Sequence, residues 1–187
     1  MNEAHEACGG DEWRELMRSI VPSAIGDADL GDDVLEVGPG YGAATDVVSE
    51  SVRSLTAVEI DPKLVAYLEE RFASADQVKI MQGDATALEF DDGRFTGAIC
   101  FTMLHHVPSP ELQDRLFAEV CRVLRPGAVF VASDNLANPQ LEAGHAGDTY
   151  NPVDPATLAA RLEAAGFVDV TVTTNPFAWQ ATAHAPG

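Results

Sequence analysis

The chain has 187 residues, 46% of them hydrophobic and 22% charged, which suits one domain with a sizeable core. Its 11 basic residues stand against 30 acidic ones, a formal charge of −19, and no basic cluster is present to neutralise phosphates, so nucleic acid and anionic membrane surfaces are not expected as partners. No apolar run reaches the roughly 18 residues that a membrane helix needs, and the acidic N-terminus lacks a basic-then-apolar signal. A cytoplasmic protein with a solvated, repulsive surface is expected. Cys8, Cys100 and Cys121 are too scattered for a disulfide framework or a zinc site. His5 and Cys8, three apart, offer two ligands, which do not make a metal site, and no metal is expected.

In chain order, Trp13, Leu16, Met17 and Ile20 recur at helical spacing and predict a helix over 11–20 with one apolar face. "DVLEVG" (33–38) reads as a strand and "AATDVVSESV" (43–52) as a helix. "SLTAVEI" (54–60), "VKIMQG" (78–83) and "TGAICFTM" (96–103) are further strands, with "KLVAYLEERFA" (63–73) a helix between the first two. Ser109 and Pro110 start a helix whose apolar residues run from Leu112 to Leu124, and Pro126-Gly127 stops it. "AVFVASD" (128–134) is a strand, and Asp154-Pro155 opens a helix that Gly166 ends. Runs 168–175 and 177–185 are too close for a helical crossover, so they form an antiparallel hairpin at one end of the sheet. The expected fold is α/β, a doubly wound, Rossmann-like sheet of seven mostly parallel strands. Residues 135–153 do not fit the repeat; a long loop rich in Asn, Gly and Pro is expected to act as a lid.

Ligands of open α/β sheets bind at the carboxyl ends of the strands. Glu36 with Gly38, Gly40 and Gly42 follows the first strand, Glu59 and Asp61 the second, Gly83-Asp84-Ala85 the third, and residues from Phe101 to His106 the fourth. "GPGYGA" satisfies the dinucleotide pattern G-x-G-x-x-G/A, so a nicotinamide-dependent oxidoreductase is a competing reading. A carboxylate at Glu36 is poorly placed for a pyrophosphate and well placed for an ammonium group. Glu59 suits ribose hydroxyls, and Asp84 suits the exocyclic amine of a base. A ligand with those three parts is S-adenosylmethionine.

With these residues in view, the chain resembles the class I S-adenosylmethionine-dependent methyltransferases that act mainly on small molecules. "LEVGPGYG", "AVEIDP", "GDA" at 83–85, "FTGAICFTMLHHV" and "EVCRVLRPGAVFVASD" are similar to five motifs of that family, in order. The resemblance implies that Glu36, Gly38 and Gly40 hold the methionine part of the cofactor. It implies that Glu59 binds the ribose, that Asp84 and Ala85 read the adenine, and that Ile60 packs on its face. Gly42 and Phe101 complete the expected cofactor set. Thr96 and Ala128 depart from the pattern, where the family commonly has Asp and Gly.

Of His105 and His106, at most one should face the pocket as a base, because adjacent residues on a helix start point apart. Positioning alone can supply roughly 7–11 kcal/mol, so no covalent catalyst is required. The expected organisation is one methyltransferase domain: a helical cap (1–30), a cofactor core (31–134), a lid loop (135–153) and a helix with terminal hairpin (154–187). The expected partner is a small-molecule methyl acceptor, selected by the cap and by His145, Asp148 and Tyr150 of the lid. A domain that binds the cofactor without turnover is the non-enzyme alternative.

Overall fold

The computed structural model describes residues 8–187, so His5 lies outside it. Six α-helices and seven strands alternate among the described residues: α1 (Asp11–Ile25), β1 (Asp33–Val37), α2 (Ala43–Val48), β2 (Ser54–Glu59), α3 (Pro62–Arg71), β3 (Val78–Gln82), β4 (Phe95–Phe101), α4 (Pro110–Val123), β5 (Leu124–Asn135), α5 (Pro139–Gly144), α6 (Pro155–Ala164), β6 (Val168–Thr174) and β7 (Ala178–His184). None of these helices is long and apolar enough to cross a membrane.

One local device starts four of the helices. Asp61, Ser109, Asn138 and Asp154 each accept a hydrogen bond from a first-turn amide, and a proline follows each of them. The cap satisfies an amide that the helix leaves unpaired, and the proline has no amide to leave.

The seven strands form one sheet in the order β3-β2-β1-β4-β5-β7-β6. All neighbours are parallel except at β7, which is antiparallel to both β5 and β6. The hairpin expected from the short connection is therefore present, with its second arm, β7, lying between β5 and β6. Strand β1 sits between β2 and β4, so the chain reverses its direction of travel there. A crevice opens at the carboxyl ends of β1 and β4, as strand order dictates.

Period-two alternation divides the core. Leu35, Val37, Ala98, Cys100, Phe130 and Ala132 face α4 and α6. Val34, Ile99, Phe101, Val129 and Val131 face α1 and α2. Glu36 shares the second face with Val34 and so points toward α2.

Several boundaries differ from expectation, and the first helix runs to Ile25 instead of ending at 20. Helix α2 ends at Val48 instead of running to 52, because the hydroxyls of Ser49 and Ser51 donate to the carbonyls of Asp46 and Val48 and compete with the helix. Strand β5 begins at Leu124, not 128: Leu124 pairs with Phe95, and a bulge accommodates Pro126-Gly127 before pairing resumes at Gly97 and Val129. The segment 135–153 is not all loop, since it contains α5. Thr96, a departure from the family pattern, ties β4 to the start of β1. Its Oγ1 accepts from the Asp33 amide at 2.9 Å and lies 2.9 Å from the Leu30 carbonyl, to which it donates.

Candidate functional site

A cavity of about 420 Å³ opens at the carboxyl ends of β1 to β4. The residues expected there from sequence, Glu36, Gly38, Gly40, Glu59, Ile60, Asp84, Ala85 and Phe101, all line it.

Glu36 is 2% exposed, and its hydrogen-bond partner among the described residues is Thr45, whose hydroxyl donates to it at 2.7 Å. Burial pushes the Glu36 carboxyl up to about 7, against the downward pull of the Thr45 bond. A buried carboxylate with one neutral donor has room for a cationic partner, which is the chemistry an ammonium group supplies. Glu59 is also buried, and burial raises its carboxyl. Its two oxygens accept from the amides of Ile60 (2.9 Å), Asp61 (3.0 Å) and Gly40 (3.2 Å). The glycine loop is thereby tied to the end of β2, and the fixed carboxylate keeps lone pairs with which to accept further hydrogen bonds. Asp84 is exposed at the end of β3, in a turn closed by the Thr86 amide at 2.8 Å. Ile60 is 65% exposed and gives the cavity an apolar shelf.

Gly38 has φ +66, and a Cβ there would come within 2.2 Å of Met103 Cγ. Only glycine lets the β1 and β4 ends approach this closely. Thr102, the neighbour of Met103, has φ +51, an outlier for a β-branched residue, and it lines the cavity. No pattern in the sequence announces that strain.

Gly42 stands apart from the other residues expected to hold the cofactor. It does not line the cavity, and its Cα faces α3, where a Cβ would lie 2.7–2.8 Å from Arg71, Leu68 and Phe72. Its φ of +79 and this packing account for the glycine without a cofactor contact.

The histidine pair divides as two adjacent side chains should. His106 lines the cavity. His105 does not; its Nδ1 lies 2.8 and 2.9 Å from the two oxygens of Asp134, a residue 1% exposed. A carboxylate accepts, so His105 donates through Nδ1. The fold also brings His145 to this pair, and that cluster of three imidazoles was not expected from sequence.

Two covers complete the wall. Trp13 and Met17 of α1 and Asp148 and Thr149 of the segment before α6 line the cavity. Cys8 lines it too, a contact that sequence reasoning missed. Tyr41 forms part of the wall and is packed edge-on by Tyr67 at 5.6 Å. His145 and Tyr150 are not in the wall; their rings pack together at 4.7 Å, behind it. The cap has a second role, since Met17, Val21 and Ala24 are buried in the core.

A protein-family model described as a methyltransferase domain matches residues 35–132. Ribosomal RNA small subunit methyltransferase A of Synechococcus sp. (strain WH7803) is 33% identical over 122 residues, covering 63% of this chain and 43% of that protein. A probable ribosomal RNA small subunit methyltransferase A of Haloarcula marismortui is 34% identical over 140 residues, 68% of this chain and 48% of that one. The chain thus spans less than half the length of these curated relatives. Among solved structures, the PH0226 protein of Pyrococcus horikoshii OT3 superposes with a TM-score of 0.78 at 16% identity, covering 94% of this chain and 92% of that one, a likeness of fold. The names of the curated relatives include RNA, which weighs against the exclusion of nucleic acid drawn from net charge.

Proposed function

The chain belongs to the class I S-adenosylmethionine-dependent methyltransferases, and from that premise we propose that it methylates a small-molecule acceptor held between the strand ends, α1 and the segment before α6. The competing oxidoreductase reading falls with that membership. S-adenosylmethionine is the cofactor, and when bound it supplies an electrophilic methyl group on a sulfonium.

In this reading Glu36 takes the ammonium end, and the backbone at Gly38 and Gly40 lies along the methionine chain. Glu59 accepts from the ribose hydroxyls, Asp84 and the Ala85 amide read the adenine edge, and Ile60 and Phe101 give it apolar walls. Residues 31–134 form the cofactor core, with 1–30 and 135–153 as its covers and 154–187 as the helix and hairpin that complete the sheet. Trp13, Met17, Asp148 and Thr149 exclude water and select the acceptor, as covers do. His106, the member of the histidine pair in the wall, faces the acceptor; His105 positions the turn through Asp134.

The observation that carries the acceptor class is the cavity wall. It runs from Glu36, Glu59 and Asp84 to both covers, and among the described residues it contains no lysine or arginine. A polyanionic acceptor would meet the exposed Asp84 carboxylate in a wall that offers its phosphates neither lysine nor arginine. The second reading is RNA as acceptor, favoured by the names of the curated relatives. The test offers labelled S-adenosylmethionine with a metabolite panel in one arm and small-subunit ribosomal RNA in the other. Label in a small molecule is the expected result. Label in RNA alone overturns it, and label in neither favours a binding domain without turnover.

A further inference from the structure

We propose that His105, His106 and His145 form a binding site for one divalent transition-metal ion of the zinc class, at the acceptor end of the cavity.

One nitrogen from each ring can be chosen so that all three lie within 4.8 Å of one another. Three imidazole nitrogens on one tetrahedral zinc, at 2.0–2.1 Å from it, stand about 3.3 Å apart. The widest pair must therefore close by at most about 1.5 Å. His145 directly follows the short helix α5, in the segment before α6. The rings are not stacked: their planes meet at 42°, 87° and 45°, with centroids 4.1–5.1 Å apart. Converging, non-parallel imidazoles suit coordination to a common centre better than ring-on-ring packing.

The outer contacts carry the inference further. A histidine that binds metal through one nitrogen usually donates from the other to a carboxylate or a carbonyl, which fixes its tautomer. Two of the three have that arrangement. His105 Nδ1 is held by Asp134 at 2.8 Å, and His145 Nδ1 lies 2.6 Å from the Leu141 carbonyl. Each of these rings donates through Nδ1, which makes Nε2 the nitrogen with a lone pair to offer a metal. The Asp134 carboxylate also places a buried anion behind the first ligand, where a dication would need it. Imidazoles with no thiolate suit zinc, copper, nickel and iron. Three protein ligands leave the fourth tetrahedral position for water or substrate, as in catalytic zinc sites.

His106 belongs to the cavity wall, so the ion would border the cavity where the acceptor is placed. Holding and acidifying an acceptor oxygen there is a use that rests on the methyltransferase reading above. It gives His106 the work of a ligand in place of a proton acceptor. The ion would also clip the cover to the end of β4, since His145 comes from the first and the other two follow the second.

The test needs no turnover, so its failure is distinct from failure of the proposed methyl transfer. The full chain is freed of metal with a chelator and titrated with cobalt(II), then with zinc(II). The expected result is a visible d–d band that saturates at one equivalent of cobalt and is displaced by zinc. His145→Ala, at a position outside the cavity wall, should weaken cobalt binding at least 100-fold while the thermal shift given by S-adenosylmethionine persists. Asp134→Asn should weaken it by about 10–100-fold, the scale of losing an outer contact to a ligating histidine. A parent chain that shows no saturating band overturns the site. So does a folded His145→Ala chain that binds cobalt as tightly as the parent.

Discussion

Thr45 donates its hydroxyl to Glu36 across 2.7 Å, and neither side chain reaches solvent. One lies at the start of α2 and the other near the end of β1, so the bond spans the glycine loop between them. It holds the Glu36 carboxylate where burial alone would favour its protonated form. Since burial raises this carboxyl from 4.5 to about 7, the folded chain takes up a proton more readily than the unfolded one. The Glu36 contribution to stability is full below pH 4.5 and is lost as pH rises through about 7. By pH 8 that loss is on the order of 3 kcal/mol.

Cofactor affinity should run the opposite way. An ammonium group needs the ionised carboxylate, so the dissociation constant for S-adenosylmethionine should fall as pH is raised from 6 to 8. Calorimetry across that range checks it. Glu36→Gln should bind weakly and with no inflection near 7, and Thr45→Val should move the inflection upward.

Glu59→Ala should weaken S-adenosylmethionine binding by about 1–3 kcal/mol, the scale of lost charge-assisted hydrogen bonds. Two effects contribute, because the carboxylate proposed for the ribose also accepts from the Gly40 amide. Equal affinity in the variant and the parent would remove the ribose assignment.

Gly42→Ala separates packing from binding. The new methyl group meets Leu68 and Phe72 at 2.8 Å with φ at +79, and the variant should lose about 1–3 kcal/mol of stability. Chemical denaturation measures that loss. At a temperature where the variant is folded, its affinity for S-adenosylmethionine should match the parent's.

Trp13→Ala and Asp148→Ala test the covers. Cofactor affinity should change by less than threefold in each, while kcat/KM for an accepted small molecule falls at least tenfold. Point substitutions serve better than deletion of residues 1–20, because Met17 is part of the core and its loss would unfold the cap.

The meeting of Glu36, Glu59 and Asp84 in one cavity wall was legible in the sequence because it depends on strand ends. Glu36 lies near the end of β1, Glu59 ends β2 and Asp84 follows β3, and parallel strands bring such ends to one edge. Local signals also marked helix starts, through Ser109-Pro110 and Asp154-Pro155. What the sequence concealed depends on contacts between distant residues. The Gly42 environment is set by α3, the meeting of His145 with His105 by the path of the cover, and the early start of β5 by a bulge against Phe95. Glycines in a loop look alike in sequence; only the neighbours of each one separate a ligand contact from a packing contact.

The insertion of β7 between β5 and β6 sets an order of events during synthesis. Strand β6 emerges from the ribosome before β7, yet its sheet pairing is to β7 alone. Until β7 arrives, β6 has no place in the sheet, and the edge of β5 stands open to other chains. The composition of β6 suits that wait. "VDVTVTT" is polar at alternate positions, and most of its residues remain exposed even when folded. The strand that must linger unpaired is thus one that holds little apolar surface for a neighbouring nascent chain to seize.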